Sequence, residues 1–490
     1  MDESTEQLRS RRLGRDSWPA ATARTSQATR LFRAPGPSVA ATRREVPRQK
    51  VQVDEKTAKR YLRDGLDGRD RLLLDPEKVM LAPVDQGKGT NIVGGIAVSD
   101  DSAHAVVGIV PGGDDLHGEL HVIDMATGRE SADVIPQIGA EQWQPYWLPD
   151  NHSFVYGRLQ TLSPGAPPAE VRQKFRSYLH VMDTNPNDDR PVFGHGVVPS
   201  IEVDPTLIAS VRIQLGSQWA LGILNGSVTP NSTYYIEPIG QLGKSNTAWT
   251  KVADFSDGVT DVAIHDDDLY LLTYKNAPHY QVLRVDARRP ELASAEVVLP
   301  QGNAIVSRIK PAQDALYVQL LDSGISRVVR VPYGAHPQVR PVVLPFEGSA
   351  FVPQIPPTDP RLPGTFLYLT SWTKGFKLYE YDPKTEKATD TRLQPIGPHD
   401  DPTDIESIEV KVPSYDGTLV PLSIVYPKQM KLDDSNPTLL EVGAAFSSQM
   451  PLFAVLSTAP TAFAVNSVVA WMSSHVPTGN LRWNSFPKFL

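Results

Sequence analysis

Leu120-His-Val-Ile-Asp124-Met-Ala-Thr-Gly128 reads as an apolar strand closed by a tight turn. In such a turn the Asp carboxylate caps the backbone that follows it, and the Gly supplies a positive φ. The same unit returns at Leu378-Tyr-Glu-Tyr-Asp382-Pro-Lys-Thr385. Weaker copies lie at 178–183, 281–286 and 327–331, a poor one at 234–237, and Tyr61-Leu-Arg-Asp64-Gly65 would be the first. The copies fall near 64, 124, 183, 236, 286, 331 and 382. That makes seven units, roughly 45–60 residues apart, a period that marks a repeat architecture.

A second register lies between these units. Val98-Ser-Asp-Asp101 leads into 105–110, Leu148-Pro-Asp150 into 154–156, and Val203-Asp-Pro205 into 208–213. It continues at 265–268 into 269–272, 311–314 into 316–320, and 358–360 into 366–369. Short Val, Ile, Leu and Tyr runs bounded by Asp, Gly, Pro and Asn are strands, and helical periodicity is nearly absent before residue 430. Two strand registers at this period fit the four-stranded blades of a seven-bladed β-propeller, with an array of β-sandwiches as the rival.

Composition bounds the rest. The chain has 490 residues, 44 Pro, 34 Gly, no Cys and a formal charge of -8. Forty per cent hydrophobic residues suffice for a core. The absence of Cys removes disulfides, thiolate metal sites and a cysteine nucleophile, and fits a reducing, cytoplasmic setting. No apolar run reaches the roughly 18 residues of a membrane span, so no membrane partner is expected. Residues 1–50 hold eleven Arg and Lys against five acids. Residues 1–60 are expected to form a basic, disordered tail; a mitochondrial transit peptide is the alternative, opposed by Asp2, Glu3 and Glu6. The acidic body would repel phosphate, so no nucleic-acid role is expected.

Near residue 404 the pattern shifts. Residues 405–412 alternate, Pro413-Ser-Tyr-Asp416-Gly417 is a turn, 420–426 return, and Pro437-Thr-Leu-Leu-Glu-Val442 reads as a buried strand. Residues 452–469 have room for a helix and a further strand, although Pro460 interrupts them. A hairpin followed by a buried strand is a common opening of an α/β-hydrolase domain.

Here the sequence resembles the prolyl oligopeptidase family. The stretches are Val412-Pro-Ser-Tyr-Asp-Gly-Thr-Leu-Val-Pro421-Leu-Ser-Ile-Val and Lys431-Leu-Asp-Asp-Ser-Asn-Pro-Thr-Leu-Leu440. In the propeller they are Asp64-Gly-Leu-Asp-Gly to Leu74-Asp-Pro76, Trp147-Leu-Pro-Asp150, Thr273-Tyr-Lys-Asn-Ala-Pro278 and Leu369-Thr-Ser-Trp372. The likeness covers roughly residues 61–451. It implies a serine peptidase that cuts short peptides after proline, with a propeller that excludes folded proteins from the catalytic site. Departures accompany it. Residues 1–60 do not resemble the family's opening helical segment. Val442-Gly-Ala-Ala-Phe446 lacks the tyrosine that the family uses to hold the oxyanion, and the later Gly-rich stretch shrinks to His475-Val-Pro-Thr-Gly479. Asn484-Ser-Phe486 resembles a segment that precedes the family's nucleophile.

The residues themselves carry no hydrolytic set. No Gly-x-Ser-x-Gly occurs, and that strained turn is what exposes the nucleophile of an α/β-hydrolase. Ser447, Ser448, Ser473 and Ser474 read as loop or surface hydroxyls. The eleven His form no His-x-His or His-Glu-x-x-His pair. His117 and His121 are four apart in strand and turn territory, where that spacing aligns no helical face. Asp266, Asp267 and Asp268 read as a solvated hairpin tip. Asn225-Gly-Ser and Asn231-Ser-Thr match the glycosylation pattern, but no secretory signal accompanies them. No catalytic residue, metal or cofactor is assigned.

The expected organisation is therefore a tail over 1–60, a seven-bladed β-propeller over 61–404, and an incomplete α/β-hydrolase domain over 405–490. The expected function is that of a prolyl oligopeptidase-like protein, inactive alone. Its partners would be short proline-containing peptides and a complementing chain that bears the serine half. A non-catalytic propeller that binds peptide or protein is the second expectation.

Overall fold

A computed structural model describes residues 45–50, 59–64, 68–75, 78, 91–431 apart from short internal stretches, 438–443 and 468–473. Eight sheets follow one another along the chain. The first spans 45–74 and has three described strands; six four-stranded antiparallel sheets span 92–138, 146–194, 208–253, 259–299, 305–341 and 349–390. Within each of these sheets the strands hydrogen-bond in chain order. They are the blades of a seven-bladed propeller.

The Asp-closed unit has one structural meaning throughout. It is the third strand of its blade at Gly118–Asp124, Arg176–Val181, Ser232–Pro238, Gln281–Asp286, Ile325–Pro332 and Lys374–Asp382. Its aspartates cap turns as their chemistry dictates. Asp124 Oδ1 accepts from Thr127 N and Thr127 Oγ1, both at 2.7 Å, and Asp382 Oδ1 accepts from Lys384 N at 2.9 Å. By this alignment the strand Lys59–Asp64 is the third of the first blade, between Glu45–Lys50 and Asp70–Leu74. No innermost strand of that blade is among the described residues.

Two expectations shift. The second register marks second strands in five blades, but 208–213 is an innermost strand, Ile208–Ile213; the second strand there is Trp219–Asn225. Gly222 breaks its apolar run and obscured it, yet Gly is required: an added Cβ would lie 2.9 Å from two Phe193 ring atoms. The second shift concerns the tail. Glu45–Lys50 pairs with Lys59–Asp64, so the first sheet starts ahead of residue 61. The polar alternation of Glu-Val-Pro-Arg-Gln-Lys concealed a strand. The remaining parts of the expected tail, 1–44 and 51–58, lie outside the described residues.

The core is a series of layers between blades. Successive strand residues face opposite ways, so each central strand serves two layers. Leu269 and Leu271 pack with Leu221, Ile236 and Val262 toward the 208–253 blade, whereas Tyr270 and Leu272 pack with Val306, Leu316 and Val318 toward the 305–341 blade. Strands buried on both faces read as unbroken apolar runs such as Leu269-Tyr-Leu-Leu272. Side chains stitch the layers across about one repeat. Trp147 Nε1 donates to Ala97 O at 2.9 Å, Trp249 Nε1 to Val192 O at 3.0 Å, and Ile264 N to Gln214 Oε1 at 3.1 Å.

After the last blade, Ile405–Pro413 and Leu419–Pro427 form an antiparallel hairpin. Val468–Ser473 lies antiparallel to the second of these strands and parallel to Thr438–Gly443, so the fourth strand in sequence sits between the second and third. Parallel neighbours require a crossover connection, here within 444–467, which lies outside the described residues. Val420, Leu422 and Ile424 bury one face of the hairpin.

Candidate functional site

The first strands of the blades surround a central cavity of about 790 Å³. Five blades, from 92–138 to 305–341, line it, and Thr358 joins from beyond the first strand of the seventh. Its walls mix apolar strand residues with Tyr146, Trp147, Tyr234 and Tyr280. Burial pushes the Tyr234 phenol up to about 12, so it is a hydrogen-bond donor at neutral pH.

Four charged residues on adjacent innermost strands meet on this surface. Val211 and Ile213 turn toward the preceding blade, which leaves Arg212 on the alternate face. Its guanidinium lies 3.5 Å from Asp261 Oδ1 and donates to the Val262 carbonyl. Asp261 Oδ1 also accepts from Val262 N at 2.9 Å. Arg308 donates to the Val352 carbonyl at 3.3 Å. Lys310 follows Ile309, which is buried toward the 259–299 blade. Burial lowers the Lys310 ammonium below its ordinary value; the nearby Asp261 opposes this, while Arg212 and Arg308 add to it.

Part of the connection within the seventh blade, 358–364, lies beside the cavity, where Thr358 and Asp100 are lining residues. Arg361 donates to both Asp100 carboxylate oxygens, at 2.6 and 2.7 Å. It also donates to both oxygens of Asp359, at 3.0 Å each. The Arg361 stem lies over Gly216, where an added Cβ would come within 2.8 Å of Arg361 Cγ. Gly216 has φ +72°, a left-handed conformation that favours glycine. Asp100 belongs to the second blade and Gly216 to the fourth, so this latch brings three blades together beside the cavity.

None of these cavity residues was assigned a functional role from sequence, although Asp100, Trp147, Tyr234 and Thr358 lie in stretches read as strand or turn signals. The available signal was a cation inside an apolar strand, as in Val211-Arg-Ile213 and Ile309-Lys-Pro311. The residues that sequence did raise lie elsewhere. His117 is exposed; His121 is buried, with Nδ1 bonded to Glu130 Oε1 and Nε2 3.3 Å from Glu119 Oε2. The tip at 266–268 is tied to basic and aromatic neighbours: Asp267 accepts from Trp219 Nε1 at 3.0 Å, and Asp268 lies 3.7 Å from Arg284. Ser473 ends a strand, while Ser447, Ser448 and Ser474 lie outside the described residues.

Residues 48–394 match the family described as the N-terminal β-propeller domain of prolyl oligopeptidase. A prolyl endopeptidase of Elizabethkingia meningoseptica is 22% identical over 393 residues, covering 80% of this chain and 52% of that protein. A dual function macrocyclase-peptidase of Galerina marginata is 24% identical over 235 residues, or 46% of this chain and 32% of that protein. The chain thus spans about half the length, or less, of the curated relatives it matches. Among solved structures, one from a study of two prolyl endopeptidases superposes with a TM-score of 0.69 at 23% identity, covering 96% of this chain and 64% of that one. Oligopeptidase B from Leishmania major gives 0.68 at 14% identity, with 89% and 59% covered. At these identities the structural likeness concerns the fold.

Proposed function

Since the chain belongs to the prolyl oligopeptidase family through its N-terminal β-propeller, we propose that it is the peptide-admitting part of a serine peptidase that cuts short peptides after proline. The observation that carries this reading is the central cavity of about 790 Å³ enclosed by the innermost strands. Cavities of roughly 300–1,000 Å³ accommodate small ligands. A few residues of extended peptide fit such a space, whereas a folded domain does not. The mixed sheet over 405–473 supports the peptidase reading over a free-standing binding propeller. Its hairpin and parallel pair have no part in the ring and would open the hydrolase domain.

Cleavage then depends on a serine-bearing segment in addition to these residues, which contain no Gly-x-Ser-x-Gly. The test uses the 490-residue protein with a chromogenic Gly-Pro peptide. Saturable binding without release of the chromophore is the expected result. Release of the chromophore, or covalent labelling by a fluorophosphonate, would overturn the proposed division of labour. Absence of any peptide binding would remove the admitting role itself.

A further inference from the structure

We propose that Arg212, Arg308 and Lys310 form an anion site in the propeller cavity that takes the carboxylate of a short peptide. The proposal deepens the reading above, since it rests on peptides being the ligands of the cavity.

The argument starts from charge. Arg212, Asp261, Arg308 and Lys310 line one cavity from three consecutive blades. Three cations face one carboxylate. Asp100, a second acidic residue of the lining, is already held by both nitrogens of the Arg361 fork. Asp261 lies beside Arg212 and also accepts a backbone hydrogen bond. Arg308 reaches a backbone carbonyl, which leaves its positive charge uncompensated. For Lys310 no side-chain hydrogen bond or ion pair is found among the described residues; Asp261 acts on it only through space.

Lys310 is half-buried and lines the cavity beside Arg212 and Arg308, and gathering three cations around one carboxylate leaves like charges repelling one another in a partly desolvated space. Nothing in the folding of a blade requires a lysine here. The strand Ile305–Pro311 is anchored by Val306 and Ile309, which pack against the neighbouring blade. The Lys310 position could hold an apolar residue without loss to that layer. Its cationic group is explained by a ligand that arrives with the opposite charge.

The chemistry of the three cations narrows the ligand. Two guanidinium groups offer planar forks that match a carboxylate, and an ammonium adds a point charge with rotatable donors. The phenols of Tyr146 and Tyr234 stand on the same wall, and burial raises both above the usual tyrosine value. The surface therefore offers charged donors, neutral donors and aromatic faces. A short peptide with one negative group meets all three; a bare inorganic anion uses only the first two.

The closing experiment is calorimetric titration of the intact protein with acetyl-Gly-Pro-Ala, as the free acid and as the C-terminal amide. The free acid should bind at least about tenfold more tightly, a factor that corresponds to one charge-assisted contact. Lys310→Met should abolish the preference while leaving amide affinity within about twofold, and Lys310→Arg should retain it. The Lys310→Met melting temperature should equal or exceed that of the parent, because repulsion from Arg212 and Arg308 is removed. If that variant does not fold, Lys310→Arg and Arg308→Gln carry the test: the first keeps the preference and the second weakens it.

An amide-capped peptide with Glu in place of the terminal Ala separates the sources of the carboxylate. Recovered affinity assigns a side chain, no recovery assigns the chain terminus, and either supports the site. Equal affinities of acid and amide in the parent would overturn the anion site and leave the peptide cavity standing. Binding of inorganic phosphate with neither peptide bound would instead overturn the peptide reading, and this proposal with it.

Discussion

At the scale of single residues, His121 has the clearest titration signature. Burial opposes its positive charge, but the Glu119 carboxylate 3.3 Å from Nε2 and the hydrogen bond to Glu130 outweigh that cost, and the imidazole is raised above its ordinary value. The unfolded reference lies near 6.5. The resulting stabilisation is complete below about pH 6.5 and is lost as pH rises through the higher folded value. His121→Gln should therefore lower the urea midpoint in mildly acidic solution and converge on the parent at alkaline pH. Midpoints measured between about pH 5.5 and 8.5 provide the check; a constant offset across that range would contradict it. The residue itself was visible in the sequence, but its environment was not. Glu119 is a near neighbour in the chain, whereas Glu130 arrives through the pairing of Gly118–Asp124 with Glu130–Ile138.

At the scale of elements, the layer between the third and fourth blades tests how closely the sheets approach. Phe193 and Trp249 rings lie 4.7 Å apart between centroids, and Gly222 provides the space beneath them. Gly222→Val should cost about 1–3 kcal/mol by overpacking. Pairing it with Phe193→Leu should recover part of that loss, because the two sites are in contact. Urea denaturation of the two single variants and the double variant measures the coupling, and strict additivity would contradict the packing argument. The same elements show what sequence could reveal. Third strands were legible where they end on an aspartate that caps the following turn, as at Asp124, Asp286 and Asp382. The shortest innermost strands were not: Tyr146–Trp147 has two residues and Ser349–Phe351 has three. Neither length allows a period to emerge. The cavity cations were hidden for a related reason, since Arg212, Asp261 and Lys310 are separated by about one repeat each and meet only after the ring forms.

At the scale of the whole molecule, the Arg361 latch spans the ring from the seventh blade to the second. Its side chains are about a third exposed, so solvent screening keeps the pair modest despite its bidentate geometry. Asp100→Asn should lower stability by about 1 kcal/mol. It should also accelerate entry of peptide into the cavity, because Asp100, a lining residue, is released from Arg361 of the seventh blade. Stopped-flow binding of a fluorescent Gly-Pro peptide to parent and variant provides the measurement. Unchanged association rates would show that peptide reaches the cavity by another route.

Because each of the six four-stranded blades is built from one uninterrupted stretch of chain, with its strands bonded in sequence order, its ladder contacts are local. Local contacts carry a small loop-closure cost and favour rapid formation. A blade can thus be finished while the ribosome is still making the next, and every completed blade offers its outward face as a template for its successor. Arrest of translation at successive blade boundaries, followed by limited proteolysis, would reveal this order as protected fragments that grow one blade at a time. Protection that appears only at full length would instead mean that the ring condenses in a single step.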